Sequence, residues 1–173
     1  MKRTLAHVAA LCGGRLVGAD APFAEAVIDS RQIAARDLFL ALPGTRTDGH
    51  EFIAAAAAAD AAGAIVSRLV DSSLPQILVA DVTHALRGLG AAWRAKFGGM
   101  VLGVAGSNGK TTTKEMLGSI LALCGPCLTT RGNLNNHLGV PLTLLRRQPA
   151  RCRRCGVPPG RAPPAPSRPR RPG

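Results

Sequence analysis

The chain has 173 residues, 46% hydrophobic and 18% charged, enough for one ordinary domain or one small domain and part of another. Its net charge of +12 first suggests a nucleic-acid partner. Nine of the 22 basic residues, however, lie within 146–173, and residues 1–145 carry a net charge of only +3. Aromatic residues, which bind single strands beside basic groups, make up 3%. We therefore expect no nucleic-acid partner.

The N-terminal part predicts a small α/β domain. A helix is expected over residues 4–11, before Gly13-Gly14. Short apolar runs beside turn residues predict strands at Ala26–Ile28, Leu38–Leu42, Ala64–Ser67 and Gln76–Ala80. Two further helices are expected, Glu51–Ala62 with Gly63 as its C-terminal cap and Thr83–Lys96 with Thr83 as its N-cap.

A second α/β pattern begins near residue 100. Met100–Ala105 is apolar without polar alternation, as a strand covered on both faces should be. A helix is predicted over Thr111–Leu123 and another strand over Cys127–Thr130. This order is typical of the start of a parallel sheet. We predict an N-terminal domain at 1–82 and the beginning of a second, parallel-sheet domain at 83–147.

Residues 148–173 differ in character from the rest of the chain. Eight of the 13 prolines fall within 146–173, among arginine, glycine and alanine. Such a segment buries too little apolar surface to offset its ordering entropy. We expect a disordered basic tail or, as the favoured interpretation, out-of-frame translation of a GC-rich gene.

A glycine-rich string follows Met100–Ala105 and precedes the next helix. Glycines let backbone N–H groups converge on an anion, and the positive end of the helix points to the same place. Lys110 can reach the β- and γ-phosphates of ATP, and the Thr111 hydroxyl can coordinate Mg²⁺. The predicted nucleotide-binding residues are Gly106, Ser107, Asn108, Gly109, Lys110, Thr111 and Thr112.

The loop departs from the strict phosphate-loop pattern at one position, because Val104 stands where the first glycine is required. The alternative is a glycine-rich turn with an incidental lysine. Three glycines, one lysine and three consecutive threonines at a strand-to-helix junction favour the ATP interpretation.

Several strings resemble the Mur ligases of peptidoglycan synthesis. Residues 103–112 match the loop of that family, and Lys114-Glu115-Met116 follows it. Residues 29–31, 37–44 and 48–52 resemble its uridine-nucleotide-binding N-terminal domain. The asparagine-rich residues 130–141 are most similar to the family members that add D-alanyl-D-alanine. The resemblance covers residues 1–147.

The resemblance implies a two-step ligation. ATP would phosphorylate the terminal carboxylate of a UDP-MurNAc-tripeptide, and the amine of D-Ala-D-Ala would then attack the acyl phosphate. Mg²⁺ and Lys110, as the catalytic residue, would balance the charge on the transferred phosphoryl group. By resemblance, the substrate-binding residues are Ser30, Arg31, His50, Asn133, Asn135 and Asn136.

The family's central domain continues with an acidic Mg²⁺ ligand and a modified lysine, and a third domain follows. Neither is found after Leu145, so we expect a truncated ligase with little or no activity. A non-catalytic nucleotide-binding fragment, or another phosphate-loop NTPase, is the alternative. We also expect a cytoplasmic monomer without membrane insertion, since no apolar run of roughly 18 residues and no secretory signal is found.

Two Cys-x-x-Cys pairs offer competing interpretations. Cys124 and Cys127 have the spacing of a redox motif, but they follow a helix instead of opening one, so a helix end and turn is favoured. Cys152 and Cys155 could complete a zinc site with them. The spacing between the pairs exceeds that of common zinc ribbons, so zinc stays a minor alternative.

Overall fold

The short apolar runs of the N-terminal part pair into one sheet with helices on both faces. A computed structural model describes residues 3–44, 47–98, 100–125, 127–130 and 138–146. The strands are β1 (Arg15–Val17), β2 (Ala26–Val27), β3 (Leu38–Leu40), β4 (Gly63–Val66) and β5 (Gln76–Leu78). The helices are α1 (Leu5–Cys12), α2 (Ile53–Ala58), α3 (Val82–Lys96), α4 (Lys110–Cys124) and α5 (Gly139–Arg146).

The strands lie in the order β1-β5-β4-β3-β2. The pairs β2–β3, β3–β4 and β4–β5 are parallel, and β1 runs antiparallel to β5. Phe39 of β3 stands in register with Val27 on one side and Ala64 on the other. The parallel-rich sheet confirms the predicted α/β class and places the carboxyl ends of four strands at one edge.

Alternation along the strands divides the core between the two faces of the sheet. Leu38 and Leu40 of β3 face α1, α3 and α5, whereas Phe39 faces α2. The first face buries the larger cluster, which includes Leu5, Val8, Ile65, Ile77, Leu86, Leu89, Trp93, Leu142 and Leu145. Both faces are covered, which explains why β2, β3 and β4 carry no polar residue at any position.

Side chains cap the N-terminal ends of α1 and α3. Thr4 Oγ1 accepts a hydrogen bond from the His7 N–H at the start of α1. Asp81 Oδ1 accepts from the His84 N–H at 2.9 Å, so Asp81 is the N-cap of α3 and the prediction of Thr83 was wrong. Asp81 is extended, while Thr83 already lies inside the helix, and only the extended residue can cap.

The helix predicted at Glu51–Ala62 is shorter than expected. A 3₁₀ turn at Gly49–Phe52 precedes α2, and Ala59 is the C-cap of α2. The chain then reverses through Asp60, whose φ is 54°. Gly63 opens β4 and caps no helix. The backbone N–H of Ala62 donates to the carbonyl of Asp37, the residue before β3, so the chain beyond Ala59 pairs with the sheet instead of continuing the helix.

The strands predicted at Met100–Ala105 and Cys127–Thr130 are not formed in the described residues. A parallel strand needs ladder partners, and within the described ranges no segment pairs with either run. The side chain of Met100 is accordingly 77% exposed. Apolar composition was therefore a misleading signal here.

Helix α5 was missed by the sequence analysis, yet it belongs to the main core. Leu142 and Leu145 are buried in the cluster that contains α1 and α3. The contact with α3 depends on Gly90, because a Cβ atom there would lie 2.8 Å from Pro141 Cβ and 2.9 Å from Pro141 Cα. A buried glycine in α3 thus lets the two helices approach closely.

Two glycines of α3 provide a matched test of this packing. We expect Gly90→Ala to destabilise the chain by about 1–3 kcal/mol, because the added methyl group overpacks the α3–α5 contact. Gly88→Ala should instead stabilise it by about 0.5–1 kcal/mol, because a Cβ there meets nothing within 4 Å and alanine favours the helix. Urea unfolding of the three proteins measures both effects, and equal stabilities would contradict the packing.

Candidate functional site

The glycine-rich loop turns directly into α4. Gly109 is the N-cap, with φ of 75°, and its carbonyl accepts from the Thr113 N–H at 2.9 Å. Gly106 has φ of 149°. Both values lie where glycine is favoured, so the two glycines determine the path of the backbone between Ala105 and Lys110. The first N–H groups of α4 have no acceptor within the helix, as at every helix start.

Lys110 folds back over the loop that precedes it. Its Nζ atom donates to the carbonyl oxygens of Gly106 and Ser107, at 2.5 Å and 2.9 Å. Ser107, Asn108 and Gly109 are exposed. The ammonium group and the positive end of α4 therefore meet at one solvent-accessible turn, which is the arrangement that binds phosphate.

The next turns of α4 contact Thr129 and Thr130, which follow the helix in the chain. Lys114, four residues after Lys110 and on the same helix face, donates from Nζ to the Thr130 carbonyl at 2.8 Å. Gly118, four residues further on, allows a close approach, since a Cβ there would lie 2.5 Å from Thr129 Cγ2. Asn133, Asn135 and Asn136 follow in the sequence but lie outside the described residues.

Ser30 and Arg31 lie in a 3₁₀ turn directly after β2. Asp29 caps this turn and binds the Arg31 guanidinium with both oxygens, Nε to Oδ1 at 3.0 Å and Nη2 to Oδ2 at 2.9 Å. The hydrogen bond from the Arg31 side chain is the largest influence holding the pKa of Asp29 below its usual value. Asp29 thus orients an arginine whose side chain is 87% exposed.

His50 is buried, although the sequence predicts it as a substrate-binding residue. Its Nδ1 lies 2.6 Å from Asp48 Oδ1, and its Nε2 accepts from the Ser67 N–H at 3.0 Å. A backbone N–H can only donate, so Nε2 carries no proton and Nδ1–H points to Asp48. Both ring nitrogens have partners within the fold, and direct contact with a substrate stays a prediction.

Ser67 and Arg68, at the end of β4, were missed as candidate residues. Arg68 Nη2 lies 2.7 Å from Asp48 Oδ2, and Ser67 meets His50 as described above. No sequence signal singled them out, because their partners are about twenty residues away in the chain. The structure therefore groups the candidate residues in two sets: the phosphate loop on α4, and the turns that follow β2, β3 and β4 at one edge of the sheet.

The two Cys-x-x-Cys pairs lie only partly within the described residues. Cys124 is the last residue of α4, which agrees with a helix end and turn. No group of three or more His, Cys, Asp or Glu residues that could hold a metal is present among the described residues, and Cys152 and Cys155 lie outside them. In the same ranges, no helix is both long and apolar enough to cross a bilayer.

The protein combines an α/β sheet with a glycine-rich, phosphate-type loop at the start of a helix. Residues 22–86 match the Mur ligase family, catalytic domain, and residues 104–155 match the Mur ligase middle domain. The chain belongs to the Mur ligase family, which confirms the resemblance noted in its sequence.

Relatives and solved structures agree with this assignment. The UDP-N-acetylmuramoyl-tripeptide–D-alanyl-D-alanine ligases of Escherichia coli K12 and Bacillus subtilis 168 are 42% and 39% identical to it, each over 84% of this chain. MurF from Acinetobacter baumannii is similar with a TM-score of 0.76 and 41% identity over 86% of this chain. MurF ligase from Thermotoga maritima, in complex with ADP, has a TM-score of 0.61 and 37% identity over 72% of this chain.

The chain spans about a third of the length of these relatives. It covers 32% of the Escherichia coli ligase, 33% of the Bacillus subtilis ligase, and 34% and 29% of the Acinetobacter and Thermotoga chains.

The ion pair of Asp48 predicts a pH dependence of stability. The backbone N–H of His50, followed by its ring, holds the pKa of Asp48 well below its usual value. Stability from such a group is complete above its unfolded pKa, about 4, and is lost as the pH falls through the folded pKa. Asp48→Asn should therefore be less stable than the parent near neutral pH, and the gap should shrink below about pH 4. Urea unfolding at several pH values measures the gap, and a gap that stays constant in acid would contradict the network.

Proposed function

We propose that the loop Gly106–Thr112 binds the phosphates of ATP. The observation that carries this proposal is the meeting of the Lys110 ammonium, the loop glycines and the first turn of α4 at one exposed site. The loop has room for the phosphates of ATP, because a Cβ atom built at Gly103 or Gly109 would meet no other atom within 4 Å. Thr111, exposed in the first turn, would hold Mg²⁺. Bound Mg²⁺ would neutralise charge on the phosphates.

The substrates follow from the names of the relatives. We propose that the longer ligase to which this sequence corresponds adds D-Ala-D-Ala to UDP-MurNAc-tripeptide, as the Escherichia coli and Bacillus subtilis enzymes are named for doing. Ser30, Arg31 and His50 would serve the uridine end, and the three asparagines Asn133, Asn135 and Asn136 would lie where substrate and nucleotide meet. Lys110 would act as the catalytic residue by stabilising the transferred phosphoryl group.

The domain division stays part of the proposal. We place the substrate domain at 1–82, the beginning of the ATP-binding domain at 83–147 and a tail at 148–173. Helix α3 packs against α1 and the first sheet, so it is structurally continuous with the substrate domain even though it follows residue 82. A cytoplasmic, monomeric protein is the expected setting.

The ATP proposal predicts the effect of removing one ammonium group. Lys110→Ala should weaken ATP binding at least about tenfold, because charge-assisted bonds to the phosphates are lost. Lys96→Ala removes an exposed lysine at the end of α3 and should change the affinity by less than about twofold. Calorimetric titration of both variants with ATP and Mg²⁺ measures the difference. Equal affinities of the two variants would refute the role of the loop.

Ligation itself is tested by amide formation with ATP, UDP-MurNAc-tripeptide and D-Ala-D-Ala. This chain should form little or no product, because it spans only about a third of the length of the ligases to which it is similar. Measurable amide formation would refute that expectation. Release of phosphate from ATP in the absence of both UDP-MurNAc-tripeptide and D-Ala-D-Ala would instead favour the alternative, a phosphate-loop NTPase that joins no substrates.

A further inference from the structure

The end of β4 carries an arginine that the proposed function does not use. We propose that Arg68 is a further substrate-binding residue, which binds the phosphoryl groups of a nucleoside diphosphate at the carboxyl edge of the sheet. The inference rests on the proposed uridine-nucleotide role of the first domain and identifies one of its phosphate contacts. Its basis is the way in which Asp48, His50 and Ser67 hold this side chain.

Asp48 is a rigid anchor for the guanidinium group. Its Oδ1 accepts from the His50 N–H at 3.0 Å and lies 2.6 Å from His50 Nδ1, while its Oδ2 lies 2.7 Å from Arg68 Nη2. His50 is buried, with an accessible fraction of 3%, and its far nitrogen is held by the Ser67 N–H. The anchor is thus tied to two neighbouring strands, since Asp48 follows β3 and Ser67 follows β4.

The exposed ion pair between Asp48 and Arg68 is not accounted for by a contribution to stability. Ion pairs at the surface contribute little to stability, because water and salt screen them and the side chains lose entropy. The arrangement does, however, restrict a long side chain that would otherwise sample many rotamers. Because Arg68 is already restricted before a ligand binds, binding through its free donors costs less side-chain entropy. The restriction therefore favours a role in ligand binding.

Arg68 keeps more donors for a ligand than its neighbour Arg31. A guanidinium group has five N–H donors in a fixed fork. Both Nε and Nη2 of Arg31 bind Asp29, whereas among the described residues only Nη2 of Arg68 contacts Asp48. The side chain of Arg68 is 62% exposed. Its Nε and Nη1 donors can therefore bind phosphate oxygens, a geometry that guanidinium groups favour.

The position of Arg68 also fits a ligand shared with Ser30 and Arg31. These residues follow β2, Arg68 follows β4, and β3 lies between them. Neighbouring strands are about 4.8 Å apart, so the two turns lie about 10 Å apart at the same edge. Ligands of parallel α/β sheets bind outside this carboxyl edge. One nucleotide can therefore contact both turns.

The test compares UDP with uridine, which lacks the phosphates. Calorimetric titrations use the whole chain, Arg68→Met, Arg68→Lys and, as a matched control, Arg94→Met, which removes an arginine from the far end of α3. We expect Arg68→Met to lose about tenfold in UDP affinity and less than about twofold in uridine affinity. Arg68→Lys should recover part of the loss, because it keeps the charge but not the fork. Arg94→Met should bind both ligands like the parent.

Each outcome decides a separate question. UDP affinity that is unchanged in Arg68→Met, or that falls equally with uridine affinity, overturns the role of Arg68 and leaves the uridine-binding proposal standing. A parent chain that binds neither UDP nor uridine overturns the proposed role of the first domain and, with it, this inference. Thermal unfolding of each variant separates loss of a contact from loss of the fold.

Discussion

Parallel pairing of β2, β3, β4 and β5 is the constraint from which the candidate site follows. Each strand of a parallel set ends at the same edge, and each connection must cross a face of the sheet before the next strand begins. The turns after β2, β3 and β4 are therefore neighbours in space although they lie about twenty residues apart in sequence. Asp29, Asp48 and Ser67 all stand at this edge, and each fixes the backbone or side chain of a neighbour.

His50 shows how the core and the site depend on each other. A buried imidazole is costly unless both nitrogens have partners, and here Asp48 supplies one and the Ser67 N–H the other. The same bonds fix the Asp48 carboxylate, which in turn holds Arg68 at 2.7 Å. His50 thus supports the half-buried Asp48 and, through it, the exposed Arg68, while its contact with a substrate stays a prediction.

Local patterns were sufficient where local chemistry determines the structure. Apolar runs beside turn residues located β2 to β5, and the glycine string located the start of α4, because strand burial and helix initiation are written into a few adjacent residues. The turn of Asp29, Ser30 and Arg31 was also found from adjacent residues. Ser67 and Arg68 were not, since their roles come from Asp48 and His50 on another strand, and no alternation or spacing links the two segments.

Helices α4 and α5 illustrate what an apolar pattern can and cannot specify. In α5, Leu142 and Leu145 are buried because α3 offers a complementary surface with Gly90 at the contact. In α4, Met116, Ile120 and Leu123 form a similar row at helical spacing, yet they are 61%, 57% and 88% exposed. The same holds for Met100–Ala105, which is apolar but unpaired among the described residues. Burial and strand pairing each involve two segments. An apolar pattern in one segment therefore predicts that it needs a packing partner, but it does not show whether that partner is present.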